Sequence, residues 1–99
     1  MELCSPDLEE VGRIVRDGLK GHRARVYLFG SWVRGRAGRT SDIDVAVLPL
    51  EPLPAGLLSE IREALEESHV IYPVDLVDLS ESTPQFRKRV LREGVLWNG

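Results

Sequence analysis

Residues 28–45 read LFGSWVRGRAGRTSDIDV, and they join two short apolar runs through a loop rich in glycine and arginine. The first run ends at Gly30 and Ser31, and the second follows residues 41–44, SDID. A strand that turns through glycine and serine into a helix leaves unpaired backbone N–H groups at the helix N-terminus, where they can bind an anion. Ser31 adds a hydroxyl donor. The segment therefore predicts a phosphate-sized site beside two carboxylates.

The two aspartates of this segment, Asp42 and Asp44, alternate at the start of a strand predicted to run from Ile43 to Leu48. Alternate residues of a strand point to the same face, so the two carboxylates lie close together. Two like charges at this spacing favour a nearby cation, and carboxylate oxygens are ligands that suit Mg²⁺ or Mn²⁺. If the two strands are neighbours, a triphosphate held by the Gly-Ser turn would present its α-phosphate to these metals.

Hydrophobic spacing divides the rest of the chain into alternating helices and strands. The alternation predicts an α/β sandwich, with helices packed on a small sheet, that forms one domain over residues 1–99. The predicted elements are a helix from Ser5–Pro6 towards Gly21, a strand at 26–29, a helical turn at 32–36, a helix at 57–65, a strand after Pro73, a helix from Thr83–Pro84 to Gly94 and an edge strand at 95–97.

Composition limits the possible functions. The 99 residues carry a net charge of −3, which argues against a protein that coats nucleic acid through bulk electrostatics. No uninterrupted apolar run approaches the length of a membrane span, and the first residues lack a secretion-signal pattern. With a single cysteine as well, these features favour a cytoplasmic protein that has no membrane partner.

The combined motif resembles that of a known family. The pairs Gly30–Ser31 and Arg34–Gly35, followed by residues 41–44 and an apolar strand, are similar to the signature of the minimal nucleotidyltransferase domain in the DNA polymerase β superfamily. The resemblance covers essentially the whole chain. It implies the α/β (α+β) fold of the polymerase β palm, a small mixed β-sheet flanked by helices. It also implies metal bound by the Asp42–Asp44 pair and a third carboxylate on a later strand.

The third carboxylate is either Asp75 or Asp78, because both lie in the apolar run VDLVDL at residues 74–79. The two are three positions apart and so point to opposite faces of a strand, which lets only one of them meet the metals. In the family pattern the first aspartate is the functional one, so we expect Asp75. It would complete the metal site and accept the proton of the attacking hydroxyl, directly or through water.

The resemblance implies a Mg²⁺-dependent nucleotidyltransferase that holds two ions when nucleotide is bound. Gly30, Ser31 and Arg34 would bind the nucleotide, and Asp42, Asp44 and Asp75 would be both catalytic and metal-binding. The transferred group would be AMP from ATP. Larger members of the superfamily carry further domains that this chain has no room for, so we expect it to share its substrate site with a partner or with a second copy.

For the partner, the resemblance implies a helical HEPN toxin. The chain would be its antitoxin, a protein adenylyltransferase that modifies a tyrosine hydroxyl of the toxin. Two other interpretations remain open from the sequence. One is a non-catalytic binding module that neutralises its partner by contact. The other is a transferase acting on a small hydroxylated molecule such as an antibiotic.

Overall fold

The computed structural model describes residues 6–34 and 42–97. For Ser31 and Arg34 it describes the backbone but not the side chain. Each element lies close to its predicted position. Asp42 lies just before the strand that contains Asp44 instead of within it. Ser41 and the predicted helical residues 35–36 lie outside the described residues. The elements are α1 Pro6–Gly18, β1 Ala24–Phe29, α2 Ser31–Arg34, β2 Ile43–Pro49, α3 Leu57–Glu66, β3 Val74–Asp78, α4 Pro84–Glu93 and β4 Val95–Leu96.

The strands form a mixed sheet in the order β3-β2-β1-β4. β1 runs antiparallel to β2 and to β4, whereas β2 and β3 are parallel. Parallel strands need a crossover connection, which α3 supplies here. The predicted fold, a small mixed sheet flanked by helices, is confirmed.

Helices cover both faces of the sheet. On one face, buried aliphatic residues of β1, β2 and β3 pack against α1 and α3, and on the other, Tyr27, Ala46 and Leu79 pack against Val90 of α4. Strand residues alternate between these two cores, as a sheet covered on both sides requires. The first core contains Leu8, Val11, Ile14, Val15, Leu19, Val26, Leu28, Ile43, Val45, Val47, Ile61, Leu65 and Leu76.

Helix α4 is fixed at its N-terminus by a side-chain cap. Thr83 Oγ1 accepts a hydrogen bond of 3.2 Å from the backbone N–H of Phe86, and Pro84 follows in the first turn. A threonine cap with proline after it is a common helix start, and the sequence predicted it. Leu91 of this helix is 41% exposed.

Within the part of the chain that the structure describes, no helix is both long enough and apolar enough to cross a membrane.

Candidate nucleotidyl-transfer site

Three side chains form a row across the sheet at one end. Phe29 of β1 is the register partner of Asp44 in β2, and Asp44 is the register partner of Asp75 in β3. Register partners on neighbouring strands lie about 4.8 Å apart and point to the same face. The carboxylates of Asp44 and Asp75 are therefore neighbours on the face that also carries α4.

The turn after β1 brings the backbone against the Asp44 carboxylate. Gly30 has a φ of +82°, a left-handed conformation that glycine adopts readily, and its carbonyl accepts a hydrogen bond of 3.1 Å from Val33 N as α2 begins. A Cβ placed on Gly30 would collide with Asp44 Oδ2. The absence of a side chain at Gly30 therefore lets the turn and the carboxylate share one site.

The remaining nucleotide-binding candidates belong to this turn and helix. Ser31 directly follows Gly30 as the first residue of α2, and Arg34 is the last residue of that helix. Only their backbones are described, so the predicted contacts of the Ser31 hydroxyl and the Arg34 guanidinium lie outside the described atoms.

The acidic residues differ in exposure. Asp44 is half-buried, whereas Asp42 and Asp75 are exposed. Among residues 6–34 and 42–97, no three His, Cys, Asp or Glu side chains stand close enough together to hold one ion. The type of ligand nevertheless suits a divalent cation. Three aspartates at one end of the sheet supply carboxylate oxygens, which are the hard ligands that Mg²⁺ prefers. Asp42, Asp44 and Asp75 are the residues that could hold it.

The structure separates Asp75 from the alternative third carboxylate. Asp78 is the register partner of Val47 and lies at the other end of β3. Its Oδ1 accepts hydrogen bonds from Ser80 N at 2.8 Å and Ser80 Oγ at 2.6 Å, which fix the turn after the strand. Asp78 also borders a cavity of about 930 Å³ at that end of the sheet, which Asp44 and Asp75 do not line. Asp78 is thus distant from the row.

A smaller cavity of about 280 Å³ lies beside Asp44, between α4 and the end of β1. Its apolar wall includes Phe29 and Phe86, whose rings meet edge to face with centroids 5.7 Å apart. Arg89 and Glu93 provide its polar wall and approach each other to 3.7 Å. No motif in the sequence marks these α4 residues as part of a site. The sequence feature that could have grouped them is the helical spacing of positions 86, 89, 90 and 93, which places these residues on one face of the helix.

The family model described as "Polymerase beta, Nucleotidyltransferase" matches residues 20–97. The chain belongs to this nucleotidyltransferase family. The match includes the Gly30 turn, the Asp42–Asp44 pair and Asp75, so it covers every element of the row described above. The resemblance seen in the motif is confirmed at the level of the family.

Two curated relatives are similar to this chain in sequence. "Probable protein adenylyltransferase MntA" of Haemophilus influenzae is 38% identical over 63 residues, which cover 64% of this chain and 55% of the relative. "Protein adenylyltransferase MntA" of Shewanella oneidensis is 38% identical over 73 residues, covering 73% of this chain and 52% of the relative. The chain thus spans about half the length of the curated relatives it matches.

Solved structures support the same fold. A toxin–antitoxin crystal structure with AMP-PNP superposes with a TM-score of 0.76 at 30% identity, covering 96% of this chain and 74% of that one. A complex of tri-AMPylated Shewanella oneidensis HEPN toxin with MNT antitoxin gives a TM-score of 0.67 at 28% identity, covering 94% and 70%. This chain therefore shares the fold of the chains that it matches in these two structures.

Proposed function

We propose that this chain is a protein adenylyltransferase that moves AMP from ATP to a hydroxyl group of a HEPN-type toxin and thereby acts as its antitoxin. The observation that carries the proposal is the contact between the Gly30 turn and the Asp44 carboxylate. This contact supports the proposal, because it puts a turn that could bind an anion beside a carboxylate that could hold a metal. The adenylyltransferase names of two relatives and the AMPylated toxin bound to a structural neighbour support this choice of nucleotide and acceptor.

In this mechanism the residues on the β1 side hold the nucleotide. The backbone amides after Gly30, with the Ser31 hydroxyl and the Arg34 guanidinium, would bind the terminal phosphates through charge-assisted hydrogen bonds. The cavity beside Asp44 offers room for the rest of the nucleotide. With the terminal phosphates bound at the turn, the α-phosphate would lie over the carboxylate row.

Asp42 and Asp44 would hold Mg²⁺, and Asp75 would complete the set; two ions are expected with nucleotide bound. Bound Mg²⁺ supplies charge stabilisation for the phosphoryl oxygens during an in-line displacement. Asp75 accepts the proton of the acceptor hydroxyl, directly or through water. The acceptor oxygen forms a bond to the α-phosphorus, and the bond from that phosphorus to the oxygen bridging to the β-phosphate breaks. Pyrophosphate leaves with that bridging oxygen.

The acceptor that we propose is a tyrosine hydroxyl of the toxin, and the reaction belongs in the cytoplasm, where ATP is available. The partner, or a second copy of the chain, would complete the acceptor side of the site.

The test mixes the chain with ATP, Mg²⁺ and purified HEPN-type toxin from the same genome, and then measures the intact mass of the toxin. We expect a gain of one or more AMP groups with the wild type and none with Asp44→Asn. Asp17→Asn, which alters an exposed carboxylate of α1, is the matched control and retains transfer. A toxin that is inhibited but unmodified would instead identify a binding module.

A further inference from the structure

The loop that leads into β3, residues 70–73, exposes an apolar side chain next to the carboxylate row. Ile71 is 80% exposed, the largest value among the exposed large apolar residues of the described ranges. It lies four residues before Asp75, a separation of at most about 14 Å along an extended chain. The neighbouring Tyr72 packs edge to face against Trp32 of α2, with ring centroids 5.0 Å apart. This contact fixes the loop that carries Ile71 against α2.

Ile71 and Asp75 border the same depression in the surface. It measures about 350 Å³ and is lined in part by Glu66, Val70, Ile71, Tyr72 and Asp75. Its walls combine apolar groups with two acidic residues, Glu66 and Asp75, and one basic residue, Arg62, which donates a hydrogen bond to the Leu76 carbonyl. The acidic residues outnumber the basic one, so a ligand that fills the depression needs apolar surface and gains from positive charge.

The order of the residues across the sheet indicates from which side the acceptor hydroxyl approaches the row. Gly30 and the proposed phosphate contacts lie on the β1 side of Asp44, whereas Asp75 lies on the β3 side. An in-line displacement requires the attacking and leaving oxygens to lie on opposite sides of the phosphorus. With the leaving pyrophosphate on the β1 side, the acceptor hydroxyl must enter over β3. Helix α4 contacts β1, and Asp75 remains exposed to that approach.

We propose that loop 70–73, with Ile71 as its exposed centre, docks the protein that supplies the acceptor hydroxyl. The occupant is a basic polypeptide segment of the partner, which presents its hydroxyl to Asp75 and an apolar side chain to Ile71. This inference rests on the proposed adenylyl transfer and specifies its acceptor side. Because Ile71 is 80% exposed, most of its side chain is open to a partner larger than the depression, which favours a protein substrate.

The outer edge of β3 limits how that segment binds. Pro73 and Leu79 make the hydrogen bonds to β2, so the even-numbered residues of β3 direct their backbone groups outward. Arg62 donates a hydrogen bond of 2.9 Å to the carbonyl of Leu76, and Ser82 Oγ donates one of 3.0 Å to that of Asp78. These two carbonyls already accept from side chains, so an added strand would compete with Arg62 and Ser82, which favours docking through side chains.

The experiment compares Ile71→Asp with Leu50→Asp, a matched control at the opposite end of the sheet where Leu50 is 47% exposed. Binding of purified HEPN-type toxin and AMP transfer to it are measured separately, with ATP affinity as the third readout. We expect Ile71→Asp to weaken toxin binding and to raise the KM for toxin about tenfold or more, the effect typical of a central interface residue. The KM for ATP stays within about twofold, and Leu50→Asp behaves like the wild type.

A second pair of variants tests the charge of the depression. Glu66→Lys reverses a carboxylate that lines it, whereas Glu60→Lys reverses one on another side of the same helix. The first should slow toxin association and the second should not, because rim charges act mainly on association rates.

The proposal is overturned if Ile71→Asp and Leu50→Asp bind and modify the toxin equally well, or if Ile71→Asp changes only ATP affinity. A different result would contradict the proposed function. If the wild-type protein binds the toxin without modifying it, adenylyl transfer is contradicted. In that case the binding readout alone decides whether loop 70–73 is the docking surface.

Discussion

Asp44 of β2 and Asp75 of β3 are register partners in the parallel strand pair, so two carboxylates from different parts of the sequence lie side by side. Like charges on neighbouring strands are unfavourable without a compensating cation. Asp78, three residues further along β3, pairs with Val47 and caps the turn at Ser80 instead. The register thus distinguishes a carboxylate of the row from one that stabilises a turn.

Asp75→Asn and Asp78→Asn should affect different properties of the protein, the first its activity and the second its stability. We expect the first to reduce AMP transfer about 100-fold or more, the range for loss of a general base, with little change in stability. The second keeps an amide oxygen that can still accept from Ser80, but without the negative charge these hydrogen bonds weaken, so it costs up to about 1 kcal/mol of unfolding free energy while transfer continues. Toxin mass and urea denaturation measure the two effects. Loss of transfer in Asp78→Asn alone would reverse the assignment.

Gly30→Ala tests the close approach of the turn to Asp44, with Gly21→Ala as its control. Both glycines have positive φ, +82° and +86°, but a Cβ on Gly21 meets no atom within 4 Å. Each variant should lose about 1–2 kcal/mol from the left-handed backbone. Only Gly30→Ala displaces the carboxylate, so it should also reduce transfer about 100-fold. Equal activity in the two variants would show that the contact is not needed.

The interface of α1 and α3 depends on Gly18. An alanine in place of glycine within a helix usually raises stability by up to about 1 kcal/mol. Here the added methyl would collide with the side chain of Ile61, which is only 3% exposed. We therefore expect Gly18→Ala to destabilise the protein by about 1–3 kcal/mol, as overpacking does. Thermal and urea unfolding measure it. In the Ile61→Ala background, which lacks the colliding Cγ1 and Cδ1 atoms, Gly18→Ala should cost less, and additive losses would argue against the collision.

The cap of α4 gives a smaller and purely structural effect. Thr83→Ala removes the acceptor for Phe86 N and should cost about 1 kcal/mol of unfolding free energy. The control, Gln85→Ala, alters an exposed residue of the same turn and should change stability by less than about 0.5 kcal/mol. If both variants unfold at the same urea concentration, the threonine cap contributes no stability.

Much of the fold could be predicted from local patterns. The Thr83–Pro84 start of α4, the periodic apolar residues of α1 and the apolar runs of the strands each encode their element through short-range physics. Pairing could not be predicted in this way, because the register of Asp44 with Asp75 depends on how two separate strands align. The choice between Asp75 and Asp78 therefore needed the family resemblance.

The site was predicted less completely than the fold. The Gly30 turn and the Asp42–Asp44 pair stand out because they are near each other in sequence. Phe86 and Arg89 reach the same region from α4, and only the tertiary packing of that helix on β1 brings them there. Ile71 gave no signal, since a single apolar residue in a loop has no periodicity and its exposure is a property of the folded chain.

The central claim is that the Gly30 turn and the carboxylates of Asp42, Asp44 and Asp75 form one site for a metal-bound nucleotide. A crystal structure with Mn²⁺ and a non-hydrolysable ATP analogue tests it most directly, because the anomalous signal locates the metal. We expect manganese ligated by Asp42 and Asp44, with the terminal phosphates on the amides after Gly30. Manganese bound away from these carboxylates, or a triphosphate held elsewhere than at the Gly30 turn, would contradict the account.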